Sequence, residues 1–322
     1  MKNHSKKVAI LQDRAFMLAQ VRNFFAMRQV MEVDCPILTQ GASVDAHIDL
    51  IPASYINSET RYMHSSPEYG MKRLLAEGIG DIYQLSHVFR DGESGVKHNP
   101  EFMMAEWYRV GMSFEKMIQE TLDFVRLFVG NLPAKTISYR EAFLQYVGFD
   151  YVKASISFLM RYLEEMKLQF YEGIENEGKD ALLNLIIASV VEPQLGKDEH
   201  GKNELCVLAY YPSSQAALAK TQWHGDEQVA ERFEIYYGGL ELANGYHELI
   251  NAKEQYSRFV EANQTRMNLG KNPLPIDKFF LKALEKGLPD CCGVAVGFDR
   301  LMMLRHHSSH IAEVIPFVWS EA

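Results

Sequence analysis

The chain has 322 residues, 47% of them hydrophobic and 23% charged, so it can bury a sizeable core in one large domain or two small ones. Its formal net charge of −9 argues against dependence on nucleic acid, because binding phosphates usually needs a basic surface. The four cysteines lack CxxC spacing, and neither a signal peptide nor a membrane-length apolar run is present. We therefore expect reduced thiols in a cytoplasmic protein with no membrane partner.

The predicted secondary structure mixes helices with antiparallel strands. Residues 13–31 have the apolar spacing of an amphipathic helix that Asp13 could cap, and Pro36 marks 33–38 as an edge or irregular strand. The other predicted strands are 61–65, 81–90, 102–109, 205–210, 233–237, 240–243 and 294–298, and the other predicted helices are 67–78, 114–130, 155–192 with a polar break, 254–269 and 300–306. Strands at both ends with helices between them predict an α+β fold with an antiparallel sheet flanked by helices, and a helical insertion at about 150–200.

The long hairpin 81–109 carries residues suited to a nucleotide. Arg90 ends the first strand, and a guanidinium can bind two phosphate oxygens at once. Phe102 could stack on a purine and Asn99 could read a base edge. A solvated hairpin with chance charges, including Glu93 and His98 in the loop, is the structural alternative.

Two nearby segments offer carboxylates for an ammonium group. Met104, Glu106 and Tyr108 share one face of the return strand by period-two alternation, which places an acid beside a phenol. Glu68 follows Ser66 and Pro67 at a predicted helix start, where an acid is also ordinary capping chemistry.

The segment RFEIYYGGLELANGYHEL predicts a tight hairpin at Gly238-Gly239. A two-residue turn would place Tyr236 opposite Glu241, with Glu234 diagonal to Glu241 on the same face. Two converging carboxylates suit Mg²⁺ carrying ATP phosphates, although an exposed acidic strand face is the alternative.

Glu248 lies an odd number of residues after Glu241, so a regular strand would point it to the opposite face. A bulge at Asn244-Gly245 could restore it to the same side.

The segment GVAVGFDRLMML combines a glycine-rich strand with the start of a helix. Glycine permits close backbone approach to a ligand, and Asp299 could cap the helix. The positive charge of Arg300 in the first turn interacts unfavourably with the helix dipole. Arg300 is therefore expected either to bind an anion or to pair with a nearby acid.

Together these segments resemble the signature motifs of class II aminoacyl-tRNA synthetases. The helix with Pro36 is similar to motif 1, a dimer element, FRDGESGVKHNPEF to motif 2 and GVAVGFDR to motif 3. The tracts SPEYGMKRLL, HNPEFMMAEWY and ELANGYHEL are similar to the lysyl-specific branch. The resemblance covers nearly the whole chain and implies the class II catalytic fold, an ATP-dependent ligase that forms an aminoacyl-adenylate, and a homodimer.

The resemblance also implies roles for individual residues. Arg90 and Arg300 would be catalytic, on the α-phosphate and the γ-phosphate end. ATP would be bound by Arg90, Asp91, Gly92, His98, Asn99, Phe102, Glu241, Leu242, Gly297 and Arg300. The amino acid would be bound by Ser66, Pro67, Glu68, Glu106, Tyr108, Asn244, Tyr246, Glu248 and Ala295. Mg²⁺ would be bound by Glu234 and Glu241.

Three departures from lysyl-tRNA synthetases narrow this expectation. Barely a dozen residues precede the motif 1 helix where that family carries an anticodon-binding barrel, so we expect a single catalytic domain over 1–322 without it. Motif 2 has Gly92 in place of glutamate, with Glu93 next, and motif 3 has Ala295 in place of glycine. These departures resemble a truncated bacterial branch of the family that transfers (R)-β-lysine to a lysine of elongation factor P.

Two other functions remain open at the level of sequence. One is a minimal ligase that uses α-lysine with tRNA or another acceptor, and the other is a regulatory paralogue without catalysis. Retention of both motif arginines and both acids of the tight hairpin argues against the second, and the net charge lowers the expectation for tRNA.

Overall fold

A computed structural model of the chain describes residues 2–41, 43–56 and 59–322. The helices in this part of the chain are α1 (Lys2–Ala26), α2 (Glu68–Ala76), α3 (Phe114–Val129), α4 (Tyr139–Ala142), α5 (Ile156–Glu165), α6 (Lys179–Ile186), α7 (Ala252–Asn268), α8 (Lys278–Gly287) and α9 (Phe298–Arg305). The strands are β1 (Met31–Glu32), β2 (Leu38–Thr39), β3 (Pro52–Ser54), β4 (Thr60–Met63), β5 (Ile82–Phe89), β6 (Glu101–Val110), β7 (Ala134–Ser138), β8 (Leu205–Pro212), β9 (Thr221–His224), β10 (Glu227–Tyr237), β11 (Leu240–His247) and β12 (Cys291–Gly297). The predicted α+β class is confirmed.

The chain forms two compact units, one from Met1–Asn131 with Glu248–Ala322 and one from Leu132–His247. A single domain over 1–322 therefore stays a prediction. The helices expected at about 150–200 are α5 and α6, with a π-helical turn at Ile187–Val191, and they belong to the second unit. Among the helices described, none combines the length and the apolar character needed to cross a membrane.

In the first unit, β5 and β6 form the long antiparallel hairpin that the sequence predicts. β1 pairs with β5 in parallel, and β12 pairs with β6 in antiparallel orientation. Phe25 of α1 packs against one face of this sheet. Its ring stacks on Tyr83 with the ring centres 4.1 Å apart, and it contacts Trp107 edge-on with the ring centres 5.3 Å apart. Burying large aromatic rings supplies much of the energy that fixes the sheet.

Two local predictions in the first unit are wrong. α1 begins at Lys2, so Asp13 lies inside the helix instead of capping it, and its carboxylate accepts hydrogen bonds from Arg305 and His306. Residues 33–38 form no continuous strand, because Pro36 has no N–H to donate. The backbone N–H of Cys35 instead donates to the side chain of Gln84, at 2.7 Å.

In the second unit, β10 pairs with β11 and β8, while β7 and β9 complete the sheet. Gly238 and Gly239 have φ of 56° and 78°, so the tight turn is confirmed and requires glycine at both positions. Tyr236 lies opposite Glu241 as predicted. The extra residue of the bulge is Leu242, because Ile235 pairs with Ala243, so the bulge predicted at Asn244-Gly245 is misplaced.

Several elements are absent from the sequence prediction, namely β1, β3, β7, β9, α4 and α8. β7 is short, and it pairs in parallel with β8, which lies far along the chain. A strand without a tight turn to its partner gives little local signal.

Candidate active site

Arg90 stands at the end of β5 with its guanidinium 5.1 Å from the centre of the Phe102 ring on β6. Its Nε atom is buried and lacks a hydrogen-bond partner within the described residues. Glu93 lies 3.7 Å from the other side of the guanidinium. An always-charged group with an unsatisfied buried donor is suited to an anionic ligand.

His98 and Arg300 come together although they are far apart in sequence. The Arg300 guanidinium donates to His98 Nε2 at 2.8 Å, which requires a neutral imidazole. Burial and the nearby Arg300 charge hold the pKa of His98 below its ordinary value. The structure thus joins motif 2 to motif 3 at the positions where both were expected to meet phosphates.

The loop after Arg90 explains one departure from the family pattern. Gly92 has φ of 75°, a left-handed conformation that glutamate adopts at a cost. The acid is displaced by one position to Glu93, where it faces Arg90. The backbone N–H of Asp91 donates to the carbonyl of Asp49, which fixes the start of this loop.

Asn99 has a structural role that the sequence did not indicate. Its amide nitrogen donates to the carbonyl of Glu101 at 2.7 Å, and its oxygen accepts from the N–H of Trp319 at 2.9 Å. The residue is only 6% exposed. Its side chain is therefore engaged by the chain's own backbone, and reading a base edge stays a prediction for it.

Asp299 does not cap α9, which corrects the prediction. Its carboxylate instead accepts from Arg14 at 2.5 Å and from the N–H of Met103 at 2.8 Å, while 2% of the residue is exposed. Arg14 also lies over the Phe298 ring. This buried pair fixes the start of α9, and with it Arg300, against β6.

Glu106 occupies a buried pocket in the first unit. Ser66 Oγ donates to one of its oxygens at 2.7 Å, and the Tyr108 hydroxyl donates to the other at 2.8 Å. Burial, followed by the Glu68 charge, raises the pKa of Glu106 to about 8. A cationic ligand beside Glu106 would lower that pKa again and favour the ionised carboxylate.

Glu68 and Glu248 share one cation that the sequence analysis missed. Lys72 Nζ lies 2.6 Å from Glu68 and 2.5 Å from Glu248, and its side chain is 0% exposed. Burial disfavours the ammonium, but the two carboxylates outweigh it and raise the pKa of Lys72. The signal available in sequence was the i, i+4 spacing of Glu68 and Lys72 on one helix. Pro67 is the N-cap residue of that helix.

Every second residue of β12 lies on the same side of the sheet as Met104, Glu106 and Tyr108 of β6. Gly293 pairs with Tyr108, Ala295 with Glu106 and Gly297 with Met104. The methyl group of Ala295 thus lies across from the Glu106 carboxylate, as expected for a residue that shapes the pocket. A Cβ on Gly297 would meet only the Arg300 side chain, at 3.6 Å, so the chain itself leaves space there.

In the second unit, Glu234 already has a positive partner. Arg232 donates to one oxygen at 2.6 Å and the Tyr236 hydroxyl to the other at 2.5 Å. The Asn244 side-chain oxygen is buried without a hydrogen-bond partner in the described part of the chain, which suits a donor on a ligand. Tyr246 lies beside Arg232, with the guanidinium 5.9 Å from its ring centre.

The acids of the second unit match Mg²⁺ only in part. The described residues contain no group of three or more histidine, cysteine or acidic side chains that could hold a metal ion. Mg²⁺ bound to ATP needs only one or two carboxylates in addition to phosphate oxygens. Glu234 would first have to exchange Arg232 for the metal, and the role of Glu241 as a metal ligand stays a prediction.

The fold, together with the contact between His98 of motif 2 and Arg300 of motif 3, is that of a class II synthetase catalytic unit. The family model for tRNA synthetases class II (D, K and N) matches residues 1–320, and the chain belongs to this family. The chain is 41% identical over 323 residues to the elongation factor P--(R)-beta-lysine ligase of Haemophilus influenzae (strain PittGG), covering 99% of this chain and 97% of the relative. The ligases of the same name from Histophilus somni (strain 2336) and Vibrio parahaemolyticus serotype O3:K6 are each 42% identical, over 97% and 95% of this chain and 96% and 94% of theirs.

Proposed function

We propose that this protein activates (R)-β-lysine with ATP and transfers it to the ε-amine of a lysine on elongation factor P. Relatives of that name match the chain from end to end. The observation that carries the proposal is the cluster of Glu68, Glu106 and Glu248 around the buried Tyr108, whose pKa is raised by burial and then by all three acids. Buried carboxylates need positive partners, and a diamino acid supplies two.

The first step is attack of the substrate carboxylate on the α-phosphorus of ATP. A new P–O bond forms, the bond to the β-phosphate oxygen breaks, and pyrophosphate leaves. Arg90 would stabilise charge on the α-phosphate, and Arg300 with His98 would hold the far end of the triphosphate. Mg²⁺, when bound, would supply charge neutralisation on the phosphates.

The second step forms the amide. The neutral acceptor amine attacks the carbonyl carbon of the aminoacyl-adenylate, the bond to the AMP oxygen breaks, and AMP leaves. The nitrogen gives up one proton and keeps the other as the amide N–H. Because a lysine amine is protonated near neutral pH, this step requires prior loss of one proton. A substrate amine that the pocket acids hold as an ammonium would not compete as a nucleophile.

Incubation with ATP, Mg²⁺ and (R)-β-lysine, followed by mass spectrometry of the acceptor, tests the proposal. Elongation factor P should gain the mass of one β-lysyl group, and an equal amount of tRNA should gain none. Labelling of tRNA alone would support the minimal synthetase alternative. No pyrophosphate exchange with either lysine would support the regulatory one.

We further propose a cytoplasmic homodimer on the basis of the motif 1 resemblance and of the use of ATP and a translation factor. Analytical ultracentrifugation measures the assembly directly. A monomer at the concentration used for the activity assay would contradict the dimer without affecting the ligase assignment.

A further inference from the structure

We propose that Lys72 is a built-in counter-ion that positions Glu68 and Glu248 and sets the charge of the pocket to match an amino acid with two ammonium groups. The inference rests on the proposed function. Lys72 acts through the two carboxylates and is a positioning residue, not a group that touches the reacting atoms.

The position of Lys72 suits a permanent part of the pocket. Its side chain is fully buried, and its ammonium lies between carboxylates from two different segments of the first unit. The rings of Phe280 and Tyr108 lie 5.8 Å and 6.0 Å from the ammonium, which adds favourable cation–π contacts. A lysine enclosed in this way has few other conformations, so it holds the two acids in place.

Lys72 by itself does not saturate either carboxylate. Lys72 contacts Oε1 of Glu68 and Oε2 of Glu248, one oxygen of each. A carboxylate accepts about four hydrogen bonds in total, so the ammonium orients both acids without using up their capacity. Glu248 is also fixed through its backbone N–H, which donates to the carbonyl of Cys291.

The charge balance then favours a dication. When a bound cation keeps Glu68, Glu106 and Glu248 ionised, the single ammonium of Lys72 leaves the three carboxylates with a net charge of −2. The two ammonium groups of a diamino acid neutralise this remainder, whereas an amino acid with one ammonium leaves a buried charge uncompensated. Without Lys72 a third negative charge would remain. One acid would then take up a proton, and neither Glu68 nor Glu248 would keep its orientation.

The experiment compares Lys72→Met with the double variant Lys72→Met/Glu68→Gln, which restores the charge of the cluster. ATP–pyrophosphate exchange gives the KM for (R)-β-lysine and for ATP separately, and thermal unfolding reports stability. Lys286→Met is the matched control, because Lys286 is 56% exposed and pairs with Glu77 at the surface. The wild-type protein is measured first: absence of β-lysine-dependent exchange there contradicts the proposed function, independently of Lys72.

We expect Lys72→Met to raise the KM for β-lysine by roughly tenfold to a hundredfold, with the KM for ATP nearly unchanged. The double variant should recover most of this loss, and the control should match the wild type. A β-lysine KM within about twofold of the wild type in Lys72→Met overturns the inference. Equal increases in both KM values without recovery in the double variant also overturn it, since they indicate a packing role alone. If Lys72→Met does not fold, the double variant is decisive. A double variant that folds and binds β-lysine supports charge matching, and one that does not fold or does not bind β-lysine contradicts it.

Discussion

Replacing Gly293 by alanine should damage the amino-acid pocket while leaving the nucleotide side intact. A Cβ at this position would lie 2.3 Å from Tyr108 Cε1 and 2.4 Å from Glu248 Oε1. Neither neighbour yields easily, since Tyr108 is 2% exposed and Glu248 is held by Lys72. The ring and the carboxylate must therefore move by about 1 Å to reach ordinary van der Waals separation.

The size of the effect follows from that displacement. Overpacking of this kind costs about 1–3 kcal/mol, which a protein with typical stability of about 5–15 kcal/mol survives at 25 °C. Misplacing a group that positions substrate by about 1 Å reduces activity by up to about a hundredfold. We therefore expect the KM for (R)-β-lysine in pyrophosphate exchange to rise roughly tenfold to a hundredfold, with a moderate drop in unfolding free energy.

Gly297→Ala is the matched comparison, on the same strand four positions further on. The added Cβ would make only ordinary contacts, at 3.6 Å and beyond, with the Arg300 side chain. We expect unchanged stability and an increased KM for ATP but not for β-lysine. A β-lysine KM within about twofold of the wild type in Gly293→Ala, or an effect of both variants on the same substrate, would contradict this prediction.

Three further predictions address the remaining roles. Because the pKa of Glu106 is raised to about 8 and a cation prefers the ionised acid, the KM for β-lysine should fall as pH rises towards about 8. Glu106→Gln should abolish this slope in exchange assays, and a persistent slope would refute the assignment. Arg90→Ala and Arg300→Ala should each reduce adenylate formation roughly a hundredfold or more with the circular dichroism spectrum unchanged; near-normal exchange in both would contradict their roles. Ala295→Gly should increase exchange with α-lysine relative to β-lysine, since it removes a methyl opposite Glu106, and an unchanged ratio would disprove the idea.

Much of the local structure was accessible from sequence because short-range geometry decides it. The period-two pattern around Glu106 and the pair Gly238-Gly239 depend on neighbours a few residues away, and both were predicted correctly. Helix ends were less accurate: α1 begins at Lys2, and its polar first turns give no apolar spacing that would extend the predicted helix ahead of Asp13.

The sequence by itself determined the family, the hairpins that carry the motifs and the residue types available to bind ATP and a cationic amino acid. Only the tertiary structure decided which charges are already paired. Lys72 pairs with both Glu68 and Glu248, Arg232 pairs with Glu234, and Arg14 pairs with Asp299. The physical reason is that strand and helix patterns arise from contacts a few residues apart. The partner of a buried charge is chosen by packing, and packing can bring together groups from anywhere along the chain.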